Sequence, residues 1–120
     1  MALAVSALTN NGVRPAPRIV ISYEDPDETW IALPKLGENH QALSSEIAEK
    51  VTSFLKVPDS STWQVTARAF SEDDKPISWF VAGTTIDWQG QPLVVVTILE
   101  TDDPEIAQNI GISLIDMAMH

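Results

Sequence analysis

The chain has 120 residues and no cysteine, and its 7 Lys and Arg against 17 Asp and Glu give a formal charge of −10. The length predicts a single domain, residues 1–120, with a core of its own. The composition excludes disulfides and thiol chemistry, and the negative charge opposes binding to nucleic acid or an anionic membrane. No apolar run is long enough for a membrane span.

The first residues follow a helical pattern, and the predicted helix ends at Asn11 and Gly12, since glycine is the favoured left-handed residue just past a helix end. The apolar residues on one side of this helix are Leu3, Ala4, Ala7 and Leu8. Because the pattern is already helical at Met1, we expect the chain to be cut from something longer.

An extended path and an acidic turn are predicted next. Pro15 and Pro17 direct the chain into a short edge strand over residues 18–23. The acidic residues 24–28 predict an exposed turn ahead of the apolar patch at residues 30–33. A calcium loop is the functional alternative, but the run lacks the alternating oxygen ligands and the central glycine of such a loop.

A second helix is predicted to begin near Ser44 or Ser45, whose hydroxyl groups suit an N-cap, and to end before Pro58. The apolar residues expected on its inner face are Ile47, Val51, Phe54 and Leu55.

Three antiparallel strands are predicted at residues 63–70, 77–85 and 92–100, because the turns between them are too short for a parallel crossover. The third run is so apolar that we expect it in the centre of the sheet, with helices on part of both faces.

The last predicted helix starts with Asp103 as its cap and Pro104 at the first helical position. Gly111 is expected to let it approach the sheet closely. Its apolar pattern continues through Ile106, Ile110, Leu114 and Met117. The expected fold class is therefore α+β, with an N-terminal, a middle and a C-terminal helix packed on a three-stranded antiparallel sheet.

This order resembles the C-terminal part of the penicillin-binding protein transpeptidase domain, the β-lactamase-like serine acyl-transferase fold of peptidoglycan cross-linking enzymes. Its helix-then-strand passage is similar to MALAVSALTNNGVRPAPRIV, residues 1–20. The strand pair after its third catalytic motif is similar to KPISWFVAGTTIDWQGQPLVVVTIL, residues 75–99, where Trp79, Phe80 and Val81 match the usual Trp-Phe-Val. The resemblance covers nearly the whole chain and implies an expressed fragment or a degenerate relative.

The resemblance implies a serine nucleophile with a lysine three residues later, a Ser-x-Asn motif and a Lys-Thr-Gly triplet. Ser53 and Lys56 have the first spacing, but they lie in the wrong part of the chain and near a helix end. We therefore predict an exposed pair rather than a nucleophile and its base. No catalytic residue is assigned in this chain.

The third motif falls at residues 65–69, where Thr66 and Ala69 match Lys-Thr-Gly-Thr-Ala and form the remnant of the substrate-binding strand. Val65 replaces the lysine, which the resemblance places beside the serine and the substrate carboxylate, and Ala67 replaces the glycine. Arg68 should project to the face opposite Val65, as a surface charge. These replacements imply a pseudoenzyme.

Other candidate chemistry has simpler interpretations. His40 and His120 have no second ligand at a metal-binding spacing, so neither a metal nor a cofactor is predicted. The acidic pairs at residues 73–74 and 102–103 occupy turn and cap positions. The tryptophans either line a groove or pack in the core and at sheet edges, and we favour packing. They are Trp30, Trp63, Trp79 and Trp88.

Two functions remain open. The first is a non-catalytic transpeptidase-like segment related to peptidoglycan cross-linking, located at the cell envelope outside the cytoplasm. The second is an independent small α+β interaction domain that acts as a homodimer. The expected partner is a second copy or the missing N-terminal part of a transpeptidase domain. In the expected two-fold dimer, the strand 92–100 or the first helix replaces the missing elements.

Overall fold

The computed structural model describes all 120 residues and contains three helices and seven strands. The helices are α1 (Ala2–Thr9), α2 (Ser45–Leu55) and α3 (Pro104–Met119). The strands are β1 (Val13–Arg14), β2 (Ser22–Glu24), β3 (Trp30–Ala32), β4 (His40–Gln41), β5 (Thr62–Phe70), β6 (Pro76–Thr84) and β7 (Val94–Leu99). None of the helices combines the length and the apolar character needed to cross a bilayer.

The main sheet is antiparallel with the order β5-β6-β7, which confirms the predicted fold class and the predicted strand pairing. The central strand is β6, in which residues 80–84 are all buried. The prediction that residues 92–100 form the central strand is wrong, because β7 lies at one edge of the sheet. Helices α1 and α3 partly cover its two faces, and Ile98 remains exposed.

Helix α3 packs on the sheet face that carries Phe80, and the contact depends on Gly111 as predicted. A methyl group at Gly111 would overlap the Phe80 ring and lie 3.1 Å from Oγ1 of Thr97. The face of α3 that is buried consists of Ala107, Gly111 and Ile115. The larger apolar residues of the sequence pattern are exposed, and they are Ile106, Ile110, Leu114 and Met117.

Helix α1 covers the opposite face of the sheet, where Gly83 leaves room for it. A methyl group at Gly83 would lie 2.5 Å from Cγ2 of Thr9 and 2.7 Å from Cζ2 of the buried Trp63. The helix ends as predicted, with Asn11 and Gly12 at positive φ. Its end is therefore set by local backbone conformation.

Helix α2 packs against α1 and β5 and begins at the predicted cap, where the Ser44 hydroxyl accepts a hydrogen bond from the amide of Ile47 at 3.3 Å. Its predicted inner face is wrong, because Phe54 is 90% exposed. The residues that α2 buries are the small Ala48 and Thr52. Thus α2 turns small residues inward, and α3 turns Ala107 and Gly111 inward together with Ile115.

The N-terminal region forms two small sheets, β1 with β4 and β2 with β3. The predicted edge strand at residues 18–23 begins later, at Ser22, and the apolar patch after the acidic turn is its partner strand. The turn is exposed as predicted, and the Asp25 carboxylate closes it by accepting the amides of Asp27 and Thr29 at 2.9 Å. The chain is elongated, with a radius of gyration of 16.5 Å against about 14 Å for a compact domain of this length.

Candidate functional site

Strand β5, in which the third-motif remnant is predicted, is an outer strand of the main sheet. One side of it pairs with β6 along its whole length, in a continuous register from Thr62 to Phe70. On the other side, its only partner is the short bridge between Lys56 and Trp63. Residues 65–70 therefore present an open edge.

The backbone groups on this open edge belong to the even-numbered residues. The carbonyl of Ser61 accepts the amide of Thr85 on the β6 side, whereas the carbonyl of Thr62 accepts the amide of Val57 on the other side. Because successive residues of an antiparallel strand direct their N–H and C=O groups to opposite edges, those of Thr66 and Arg68 point to the open edge.

The side chains of β5 divide between the two faces of the sheet. Val65 lies opposite Val81 and Ala67 opposite Trp79, on the face that carries α1, and Arg68 lies opposite Ser78, on the face that carries α3. Thus Arg68 and Val65 are on different faces, as the alternation predicts.

Arg68 has an acidic partner on its own face. Its Nε lies 3.0 Å from Oδ1 of Asp102, which comes just before α3, and both side chains are more than half exposed. The guanidinium therefore lies on the face opposite Val65 and is paired there.

The two matching residues of the third motif are not brought together. Thr66 pairs with Phe80 and is exposed, whereas Ala69 pairs with Ile77 and is half-buried. Their odd separation places them on opposite faces of β5. Of these two residues, only Thr66 directs its backbone N–H and C=O groups to the open edge.

The serines of α2 and its cap have structural surroundings. Ser44 is the cap of α2, and Ser53 is an exposed residue in the second half of the same helix. Lys56 follows α2, and its Nζ lies 3.4 Å from Oδ2 of Asp87. The Lys56 ammonium is thus directed to Asp87 and is not paired with Ser53.

A polar cleft of about 290 Å³ lies between α2 and the loop after β6, and no sequence pattern indicated it. The pKa of Asp87 in this cleft is lowered from 3.8, first by the side chain of Thr85, then by its own backbone N–H and by Lys56. The Thr85 hydroxyl also lies 3.0 Å from the carbonyl oxygen of Ser61. Asp87 is therefore held as an anion.

The remaining candidates are dispersed. No three His, Cys, Asp or Glu side chains converge on a position that a metal ion could occupy. Asp103 caps α3 by accepting the amide of Ile106 at 3.0 Å, and Asp74 holds a turn with φ of 57°. Trp63 is fully buried, as the preference for packing requires, but Trp30 is 66% exposed. The tryptophans line no common groove.

The chain matches no protein-family model and no curated protein. It does match solved structures. Penicillin-binding protein A from M. tuberculosis, as its imipenem acyl-enzyme complex, matches with a TM-score of 0.80 and 22% identity, over 99% of this chain and 30% of that chain. The ceftriaxone acyl-enzyme complex of that protein gives a TM-score of 0.69 with 20% identity, over 98% and 31%.

A peptidoglycan synthetase from Bifidobacterium adolescentis matches with a TM-score of 0.58 and 20% identity, over 98% of this chain and 26% of that chain. The chain thus spans less than a third of the length of these proteins. The resemblance to the penicillin-binding transpeptidase fold is confirmed at the level of the fold.

Proposed function

We propose that this chain, which has the fold of part of a penicillin-binding enzyme, is a non-catalytic transpeptidase-like module related to peptidoglycan cross-linking and located at the cell envelope. The observation that carries the proposal is the state of the third-motif strand. Its outer edge is open, the resemblance aligns Val65 with the lysine of the motif, and Arg68 is paired with Asp102 on the other face.

An open strand edge supports a binding role without a catalytic one. An extended peptide adds to such an edge through main-chain hydrogen bonds, and these need neither a nucleophile nor a base. The outward groups of Thr66 and Arg68 supply donors and acceptors for that pairing. The substrate-binding remnant in this proposal is therefore the backbone of β5, with Thr66 and Ala69 as its matching residues.

The partner in this proposal completes the sheet at the other edge. The outer side of β7 has no paired strand. Exposed strand edges recruit another chain, and the N-terminal part of a transpeptidase domain is the segment that the resemblance supplies.

The second candidate function, an independent interaction domain that forms a homodimer, is favoured by the exposed apolar side of α3.

Intact mass spectrometry after treatment with a β-lactam tests the inertness of the chain. We expect no covalent adduct, and the same result for the Ser53→Ala variant as the matched control. An adduct on Ser44, Ser45 or Ser53 that is lost on substitution of that serine would refute the proposal.

A binding titration with a D-amino-acid-terminated peptide, repeated with the Thr66→Pro variant, tests whether the open edge of β5 binds an extended peptide. Proline removes an outward amide, so weakened binding supports the assigned role.

A further inference from the structure

The β2–β3 hairpin and its flanking residues, 18–36, form an arm that exposes apolar side chains. The two strands pair with each other, and no other helix or strand packs extensively against them. Ile19 is 97% exposed. The other exposed apolar residues of the arm are Val20, Ile21, Tyr23, Trp30, Ile31 and Leu36. An isolated two-stranded hairpin is marginal in water, so this arm needs a cover for its apolar surface.

Charge is distributed unevenly along the arm. Its base carries the two cations Arg18 and Lys35, and Arg18 closes the base by donating to the carbonyls of Ile21 and Leu33. The tip carries four carboxylates, on Glu24, Asp25, Asp27 and Glu28. The arm therefore runs from a cationic base through an apolar middle to an anionic tip.

We propose that the arm is a dimerisation element that pairs with the arm of a second copy, antiparallel about a two-fold axis. In that arrangement, the base of each arm lies opposite the tip of the other, and the apolar middles face each other. A two-fold interface requires such self-complementarity, since residue i contacts j and j contacts i. A parallel arrangement would instead bring eight carboxylates of two tips together.

The exposed apolar side chains of the arm lie on both faces of the hairpin. Trp30 and Ala32 share one face, opposite Tyr23 and Ile31, and the face of Trp30, which is 66% exposed, is the one that meets the second copy in this proposal. Both outer edges of the hairpin are unpaired, so strand pairing between copies is also open to it. This inference rests on the arm alone and is independent of the function proposed above.

Single-cysteine cross-linking tests the geometry, and the absence of native cysteine makes it clean. The exposed Ala32 pairs with Ser22 near the middle of the arm, close to the proposed axis. We expect Ala32→Cys to form a disulfide dimer under mild oxidation, while the matched control Ala118→Cys, at an exposed alanine of α3, stays monomeric. A dimer that cross-links through Ile98→Cys of β7 and not through Ala32→Cys would overturn the proposal.

Exchanging the charges of Lys35 at the base and Asp27 at the tip tests whether the base of one arm lies opposite the tip of the other. Sedimentation equilibrium measures the dimer Kd of each variant. Lys35 and Asp27 are exposed, and neither side chain has an ionic partner within the chain. We expect Lys35→Glu alone to raise the dimer Kd about tenfold and the double variant with Asp27→Lys to return it to within about threefold. Lys75→Glu, on the β5–β6 turn, serves as the control and should leave Kd unchanged.

Two outcomes would contradict the proposal that the arm forms the dimer interface. One is a wild-type chain that stays monomeric at hundreds of micromolar, which would mean that a different partner covers the arm. The other is a dimer whose Kd responds equally to Lys35→Glu and to Lys75→Glu, which would mean that net charge alone governs association.

Discussion

Gly111 of α3 lies so close to Phe80 of β6 that a methyl group added at residue 111 would overlap the phenyl ring. The ring is fully buried and cannot turn aside. This contact decides how near the last helix comes to the sheet, and with it which side of the helix is hidden.

The Gly111→Ala variant should therefore lose stability although alanine is the better helix former. Overpacking costs about 1–3 kcal/mol, and an overlap with a buried ring belongs at the upper end, so the loss should exceed the gain in propensity of about 1 kcal/mol. We expect a net loss of about 2 kcal/mol in the free energy of unfolding in urea. Asn109→Ala, at an exposed position of the same helix, should be neutral or stabilising. Equal stability of Gly111→Ala and the wild type would contradict the close contact.

Ser78 joins β6 to the start of α3. Its buried hydroxyl donates to the carbonyl of Thr101 at 2.7 Å and accepts the amide of Asp103 at 2.9 Å. Ser78→Ala leaves both backbone groups without this partner, and we expect it to cost about 1–3 kcal/mol of unfolding free energy. The exposed Ser113→Ala is the control, with a change close to zero. If the two variants unfold at the same urea concentration, the bridge has no energetic role.

The ion pair of Arg68 with Asp102 should be weak. Both side chains are more than half exposed, and pairs of this kind are worth about 0.2–1 kcal/mol. A double-mutant cycle with Arg68→Gln and Asp102→Asn should give a coupling energy within that range, smaller at high salt. A coupling energy several times larger would mean that Arg68 is an element of the core and not a surface charge.

The carboxyl of Asp87 should titrate below 3.8, because the side chain of Thr85 and the ammonium of Lys56 favour its charged form. We expect Thr85→Val to raise the pKa of Asp87 more than Lys56→Gln does, as measured by carboxyl NMR titration. A folded-state pKa below the unfolded one stabilises the fold above the unfolded value, and this stabilisation is lost as the pH falls through the lowered value. The reverse order of the two variants would show that charge, not hydrogen bonding, dominates.

Local signals accounted for much of the fold. Ser44 and Asp103 are the caps of α2 and α3 as predicted, because a cap needs only a side-chain oxygen and the next few amides. The short turns of the main sheet allow only antiparallel pairing, and the structure shows it. For the candidate site, alternation along β5 placed Arg68 and Val65 on different faces. The cleft at Asp87 gave no such signal, since its residues come from separate segments.

By itself, therefore, the sequence determined the features that neighbouring residues settle: where helices begin and which strands form hairpins. Tertiary structure decided which surfaces are hidden. Helix α3 buries Ala107, Gly111 and Ile115 and leaves Ile106 exposed, because the close approach at Gly111 turns that side of the helix to the ring of Phe80. Strand β6, and not the more apolar β7, became the central strand. The burial of a strand depends on the neighbours that it acquires in the fold, and the periodicity of its sequence does not specify them.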